Sequence, residues 1–187
     1  MGMEYLLADP VRLHRAPRHV TPFQTHITTA EEGDAPAIAA LRNTVAGELT
    51  RRHGKGHWSF LVSDRAVATV MRTSRVLIAR RDRDIVATLR LASKKPWAID
   101  RAYFADAKRP VYLTDMAVAP ELQRHGIGRR ILEEAKAIAR EWPADAIRLD
   151  AYDAPAGAGA FYEKCGFTQV GAKTYRGVPL LYFELLL

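Results

Sequence analysis

The sequence predicts an α/β domain with a mixed sheet, and three observations carry that prediction. Val111 to Val118, Ile127 to Trp142 and Ile147 to Ala151 read as strand, helix and strand. The two strands of such a βαβ unit run parallel, because the helix crosses back over the sheet. Val76 to Ala79 and Ile85 to Leu89 flank the polar turn Arg81-Asp82-Arg83-Asp84 as an antiparallel hairpin. The chain closes with the apolar strand Leu180 to Leu186.

Residues 1–22 hold three prolines and no steady period, which predicts an extended arm ahead of one domain spanning 23–187. Phe23 to Thr29 has a β pattern. Gly33-Asp34-Ala35-Pro36 then reads as a helix start, with Asp34 as N-cap and Pro36 in the first turn. Ile38, Leu41, Val45 and Leu49 form one face of that helix, and the pattern gives way to a basic loop over Arg51 to Gly56. Ser63 to Arg72 predicts a short second helix. Ser93 to Pro110 reads as a long connection packed by its own Trp97, Tyr103 and Phe104. In the βαβ helix, Ile127, Ile131, Ala135 and Ile138 share a face and Pro143 marks the stop. A further helix over about Pro155 to Cys165 leads through Gly166 into the strand Phe167 to Gly171.

A chain of 187 residues with 48% apolar and 26% charged residues has the make-up of a single folded globular domain. Lys and Arg number 28 against 21 Asp and Glu, a net charge of +7 that favours an anionic partner: nucleic acid, acidic lipid or a phosphorylated small ligand. No helix-turn-helix or aromatic-basic RNA pattern accompanies the charge, so no nucleic-acid partner is expected. The single cysteine, Cys165, excludes an internal disulfide framework and any CxxC motif. No run approaches the ~18 apolar residues of a membrane span, and Asp9-Pro10 interrupts the early apolar run too soon for a signal peptide. The expectation is a soluble, cytoplasmic protein with no membrane partner.

The chemistry concentrates in Gln123-Arg124-His125-Gly126-Ile127-Gly128-Arg129-Arg130, between the Val118 strand and the Ile127 helix. Two glycines let the backbone turn tightly and approach a ligand, and a helix start offers unpaired N–H groups. With three arginines nearby, this is a cradle suited to pyrophosphate; the plain alternative is a glycine turn capping a solvent-facing helix. A dinucleotide-binding turn would place Gly or Ala where Ile131 stands, and a Walker-type loop would need Gly-Lys-Ser/Thr, which is absent.

Asp115-Met116-Ala117-Val118-Ala119-Pro120, the glycine stretch Gln123 to Gly128, and Phe161-Tyr162-Glu163-Lys164-Cys165-Gly166-Phe167 together resemble the GCN5-related N-acetyltransferase (GNAT) superfamily. The resemblance covers about Phe23 to Leu187. It implies a mixed, mostly antiparallel central sheet with splayed parallel middle strands, flanked by helices. The implied activity is acetyl-CoA-dependent N-acetylation of an amine by direct transfer in a ternary complex, with acetyl-CoA as co-substrate and no metal; the alternative is a non-catalytic acyl-CoA-binding or sensor module on the same fold.

By the same resemblance, the backbone of Met116, Ala117 and Val118, at a strand bulge, pairs with the pantetheine amides. The segment Gln123, Arg124, His125, Gly126, Ile127, Gly128 and Arg129 holds the pyrophosphate. Tyr162 matches the tyrosine that protonates the departing thiolate, a proton transfer a phenol can make to a basic sulfur; the alternative is a core tyrosine. Asp115 is the best-placed carboxylate for a general base, or else an acid that holds the bulge. Pro155 stands where many relatives carry Asn, which removes that pantetheine contact and leaves Asp153 to cap the helix. Cys165 reads as a small buried hydrophobe rather than a nucleophile. Trp58, Trp97, Tyr103 and Tyr175 are candidate walls for the acceptor, and Asp100, Asp106 and Asp153 candidate amine-binding charges. The apolar last strand, Leu180 to Leu187, offers an edge for pairing with a second chain in a homodimer.

Overall fold

The computed structural model describes residues 25–187, so the arm predicted for 1–22 lies outside the described residues. Seven strands form one sheet: β1 (His26–Thr29), β2 (Arg75–Arg81), β3 (Asp84–Ala92), β4 (Pro110–Val118), β5 (Ala146–Tyr152), β6 (Thr168–Tyr175) and β7 (Val178–Leu186). Their order is β1-β2-β3-β4-β5-β7-β6, and every pairing is antiparallel except β4 with β5. The helices are α1 (Ala35–His53), α2 (Asp64–Met71), α3 (Ile127–Glu141) and α4 (Gly159–Lys164). The mixed, mostly antiparallel sheet flanked by helices is the one the sequence predicts.

Local chemistry sets most of the boundaries. The Ser63 hydroxyl accepts from the Ala66 N–H and caps α2. Asp34 stands at the N-cap of α1, but its carboxylate accepts from the Glu31 N–H and pairs with Arg80 instead of capping the helix. α1 runs on through Arg51 and Arg52 to His53, farther than the periodicity predicts, because Glu48 pairs with both arginines on its solvent face. Burial of Ile131, Leu132, Ala135 and Ala139 fixes α3 against the sheet, while Ile138 is half-buried. Leu77, Ile78, Leu89, Leu91, Ile147 and Phe183 complete a continuous core, each burial worth about 1.5–3 kcal/mol.

Four expectations are corrected. β7 lies between β5 and β6 with both of its edges hydrogen-bonded, so it offers no free edge to a second chain. The last helix begins at Gly159, not Pro155: the chain first turns back so tightly that a Cβ at Gly157 would lie 1.9 Å from the Tyr152 carbonyl oxygen. Asp153 does not cap it; its N–H donates to the Pro179 carbonyl and the N-cap is Ala158. In the 93–109 connection Trp97 is 85% exposed and packs nothing together. Tyr103 and Phe104 do pack, on Tyr182, and the connection is held further by a buried ion pair, Arg148 to Glu184 at 2.8 Å. Arg148 also donates to the Ala105 carbonyl and lies over Phe104, and Glu184 accepts from the Ala105 N–H.

Candidate active site

β4 and β5 pair only over Pro110↔Ala146, Val111↔Ile147 and Tyr112↔Arg148, although β4 continues to Val118 and β5 to Tyr152. The cause lies in β4. Leu89 of β3 faces two residues, Asp115 and Met116, where the register slips between Thr88↔Ala117 and Arg90↔Thr114. Asp115 takes a left-handed φ of 57°, which an aspartate tolerates better than most residues. The bulge bends β4 away from its neighbour. A parallel sheet thereby opens into a gap whose two walls carry backbone groups that no strand pairs, a place for an extended ligand to enter as an added strand.

The β4 wall holds the expected segment Met116, Ala117 and Val118. Asp115 beside it is bound on both oxygens, by Arg42 of α1 at 2.7 Å and by Arg90 of β3 at 2.6 Å. Its carboxylate therefore ties α1 and β3 to the bulge, the bulge-holding role weighed for it beside that of general base.

Beyond β4, the loop to α3 is built as an anion cradle. Gln123 donates its amide to the Val118 carbonyl at 3.2 Å and folds the loop back on the strand end, and His125 Nδ1 meets the Gln123 carbonyl at 2.8 Å. Arg124 and Gly126 are both left-handed, with φ of 65° and 80°. The first turn bond of α3 is Arg130 N–H to the Gly126 carbonyl, so the N–H groups of Ile127, Gly128 and Arg129 have no intrahelical acceptor. A Cβ at Gly128 would stand 3.4–3.5 Å from Met116, Phe161 and Val118, so the glycine sets α3 close against the gap. Arg124 is exposed, whereas Arg129 donates to the Lys164 carbonyl and Arg130 to Thr25. Of the three arginines, Arg124 alone has no side-chain hydrogen bond among the described residues. The cradle fits a pyrophosphate in charge and in donor geometry.

Tyr162 of α4 is buried among Phe161, Phe167 and Phe183, and its hydroxyl lies 3.7 Å from Met116 Sδ, at the bulge. Burial, and then the negative charge of Asp150, push its phenol well above the usual tyrosine range, so it stays a proton donor. Cys165 is buried in the same cluster as an apolar filler, and its carbonyl accepts from Lys136.

Sequence reasoning missed Asp150 as a site residue. It sits on β5 beyond the last residue paired to β4, half-buried, next to Tyr182 of β7. Burial raises its carboxyl above the usual range, and no ion pair holds it among the described residues. The signal was available in the strand itself. Ile147, Leu149 and Ala151 alternate with Arg148, Asp150 and Tyr152, so a central strand turns polar groups to one face. Arg148 is matched by Glu184, while Asp150 has no such partner.

Of the proposed acceptor walls, Trp58 stands edge-on to Tyr152 at 5.9 Å and so borders the gap; its indole donates to the Gly54 carbonyl. Tyr103 packs on Tyr182, the neighbour of Asp150. Trp97 points to solvent, and Tyr175 packs with Tyr182 and Leu180. Asp100 is spent on Lys173 and the Ala102 N–H. A cavity of about 480 Å³ lined by Lys95, Arg101, Lys108 and Arg109 lies near Pro110 and Val111, at the end of β4 away from the gap.

A sheet split by a bulge, with an anion cradle at the mouth of the split and a buried phenol beside it, offers a place for an extended, phosphate-bearing ligand. The chain belongs to the acetyltransferase (GNAT) family, whose family model matches residues 50–167. Among solved structures it is similar to the ribosomal-protein-alanine N-acetyltransferase of Brucella melitensis, with a TM-score of 0.67 and 23% identity over 87% of this chain and 99% of that one. It is also similar to yncA of Salmonella typhimurium, solved with acetyl-CoA, with a TM-score of 0.65 and 18% identity over 87% and 93%. The paia N-acetyltransferase of Thermoplasma acidophilum, solved with coenzyme A, has a TM-score of 0.66 and 16% identity over 85% and 98%. No curated protein matches the chain. Among the described residues no helix is long and apolar enough to cross a membrane.

Proposed function

We propose that this protein is an acetyl-CoA-dependent N-acetyltransferase that passes the acetyl group directly to an amine in a ternary complex. The observation that carries the proposal is the opened β4–β5 gap with the Tyr162 phenol at the bulge and the pyrophosphate cradle at its mouth. Two structural neighbours are solved with acetyl-CoA or coenzyme A, which supports the same ligand here.

The backbone of Met116, Ala117 and Val118 pairs with the pantetheine amides, and the N–H groups from Arg124 to Arg129 take the pyrophosphate, with Arg124 adding charge. The Gln123 and His125 side chains hold that loop in shape. Asp150, ionised, accepts a proton from the acceptor's ammonium, directly or through water. The freed amine attacks the thioester carbonyl carbon, the C–N bond forms, the C–S bond breaks, and the new amide nitrogen loses its surplus proton to solvent, as Asp150 then does. Tyr162 donates its proton to the departing thiolate and regains one from solvent. Positioning of amine and thioester, with backbone N–H groups near Val118 facing the developing oxyanion, supplies the rest of the rate. A single buried, unpaired thiol, Cys165, suits work in the cytoplasm.

The test is acetyl-dependent release of coenzyme A thiol with an accepted amine. Tyr162→Phe, which keeps the ring in its aromatic nest, is expected to lower kcat by about 10²-fold while acetyl-CoA still binds. Unchanged kcat in that variant removes Tyr162 from the mechanism.

A further inference from the structure

We propose that the acceptor is a small amino-acid-like molecule whose own carboxylate is held by Arg42 and Arg90 while its amine faces Asp150. The inference rests on the acetyltransferase reading above and names the substrate class of that same site.

Strand register places the groups. Arg90 pairs with Thr114, Thr114 lies two residues from Tyr112, and Tyr112 is in register with Arg148, two residues from Asp150. Side chains alternate along a strand, and residues in register share a face, so Arg90, Thr114 and Asp150 look out from the same face of the sheet, on either side of the gap. Tyr152 and, through it, Trp58 continue that face beyond Asp150. Arg42 reaches the same cluster from α1.

The charges on that face are unevenly spread. Two guanidiniums share one carboxylate, Asp115, which leaves one positive charge. Each guanidinium spends a single nitrogen on Asp115, and neither makes another side-chain hydrogen bond among the described residues. Both keep part of their surface open, 25% for Arg42 and 21% for Arg90. Their unused N–H groups form a planar fork that suits a carboxylate. Across the gap stands the opposite pole, Asp150, raised by burial and with no cation close enough to lower it. A site with a cationic pole and an anionic pole matches a zwitterion. A bare amine or a peptide N-terminus, which lacks a carboxylate near its amine, leaves the cationic pole unmatched.

The experiment uses the full chain with saturating acetyl-CoA. Thiol release is measured for the common α-amino acids, β-alanine and γ-aminobutyrate, each against its own carboxamide, and for short peptides with the same N-terminal residues. The expected result is at least one acid whose kcat/KM exceeds that of its amide by about tenfold or more. In Arg42→Gln and Arg90→Gln that ratio falls towards one through a higher KM for the acid, in variants that calorimetry shows still bind acetyl-CoA. A purely structural role for the arginines would move both substrates alike. Should either variant fail to fold, the ratio in the unaltered protein decides. Equal or better use of amides or peptides overturns the inference, as does refusal of every acid by a protein that binds acetyl-CoA. Failure to bind acetyl-CoA removes the acetyltransferase reading itself.

Discussion

Across the gap, the β4 wall presents a carboxylate gripped by two guanidiniums, whereas the β5 wall presents one that no cation grips among the described residues. Asp115 and Asp150 are the same residue type on adjacent strands of one site, yet their surroundings give them different work. Bound on both oxygens, Asp115 holds a left-handed bulge in place and so keeps the sheet open. Asp150, half-buried and without an ion pair among the described residues, is the proton acceptor of the proposed mechanism. Position along a strand does not assign chemistry to an acid; its partners do.

The comparison is easiest to break with substitutions that remove charge and keep shape. Asp150→Asn is expected to lower kcat by about 10²–10⁴-fold, with acetyl-CoA affinity unchanged, as measured by thiol release and calorimetry. If Asp150→Asn keeps its rate, the assignment of the base is wrong. Asp115→Asn is expected to act mainly on stability. Asn also tolerates the left-handed backbone, so this variant isolates the charge. Leaving two half-exposed guanidiniums without their counter-ion is expected to cost about 1–3 kcal/mol in a denaturant titration, with less than a tenfold loss of kcat.

The pH dependence sharpens the contrast. Asp150 must be ionised to work, and burial raises its pKa, so kcat is expected to climb with pH along an acid limb lying above the ordinary aspartate value near 3.8. Burial also holds the Tyr162 phenol protonated beyond the ordinary value near 10, so it adds no alkaline limb below that pH.

Stability follows the opposite sign. A carboxyl whose pKa is raised on folding binds its proton more tightly in the folded state. It therefore destabilises the fold as pH rises from the unfolded value through the folded one, and costs nothing below both. Asp150→Asn is expected to raise Tm by roughly 1–3 °C at neutral pH and to leave it unchanged in strong acid. Asp115→Asn is expected to lower Tm at neutral pH. Thermal melts at two pH values check both signs; a fall in Tm for both variants would erase the distinction.

The parts of this molecule legible in the sequence are those governed by neighbours in the chain. The glycine turn at Gly126 and Gly128, the apolar face of α3 and the β2–β3 hairpin follow from local periodicity and turn chemistry, and they brought the cradle and Tyr162 into view. What stayed hidden depends on contacts between distant segments. The insertion of β7 between β5 and β6 is a matter of strand order, which the apolar run Leu180 to Leu186 does not encode locally. The delayed start of α4 follows from the close approach of Gly157 to the Tyr152 carbonyl. The division of roles between Asp115 and Asp150 needed Arg42 and Arg90, which lie 73 and 25 residues from Asp115 in the chain.

The most direct test of the account is a calorimetric titration of the purified protein with acetyl-CoA, with NADH as an anionic dinucleotide control. The account predicts saturable binding at about one site per chain, absent for NADH. It also predicts that Gly126→Glu, which sets a carboxylate and a strained left-handed residue into the cradle, weakens binding by about tenfold or more. Failure of both acetyl-CoA and coenzyme A to bind would contradict it, and would leave the split between β4 and β5 as a feature of the fold without a ligand.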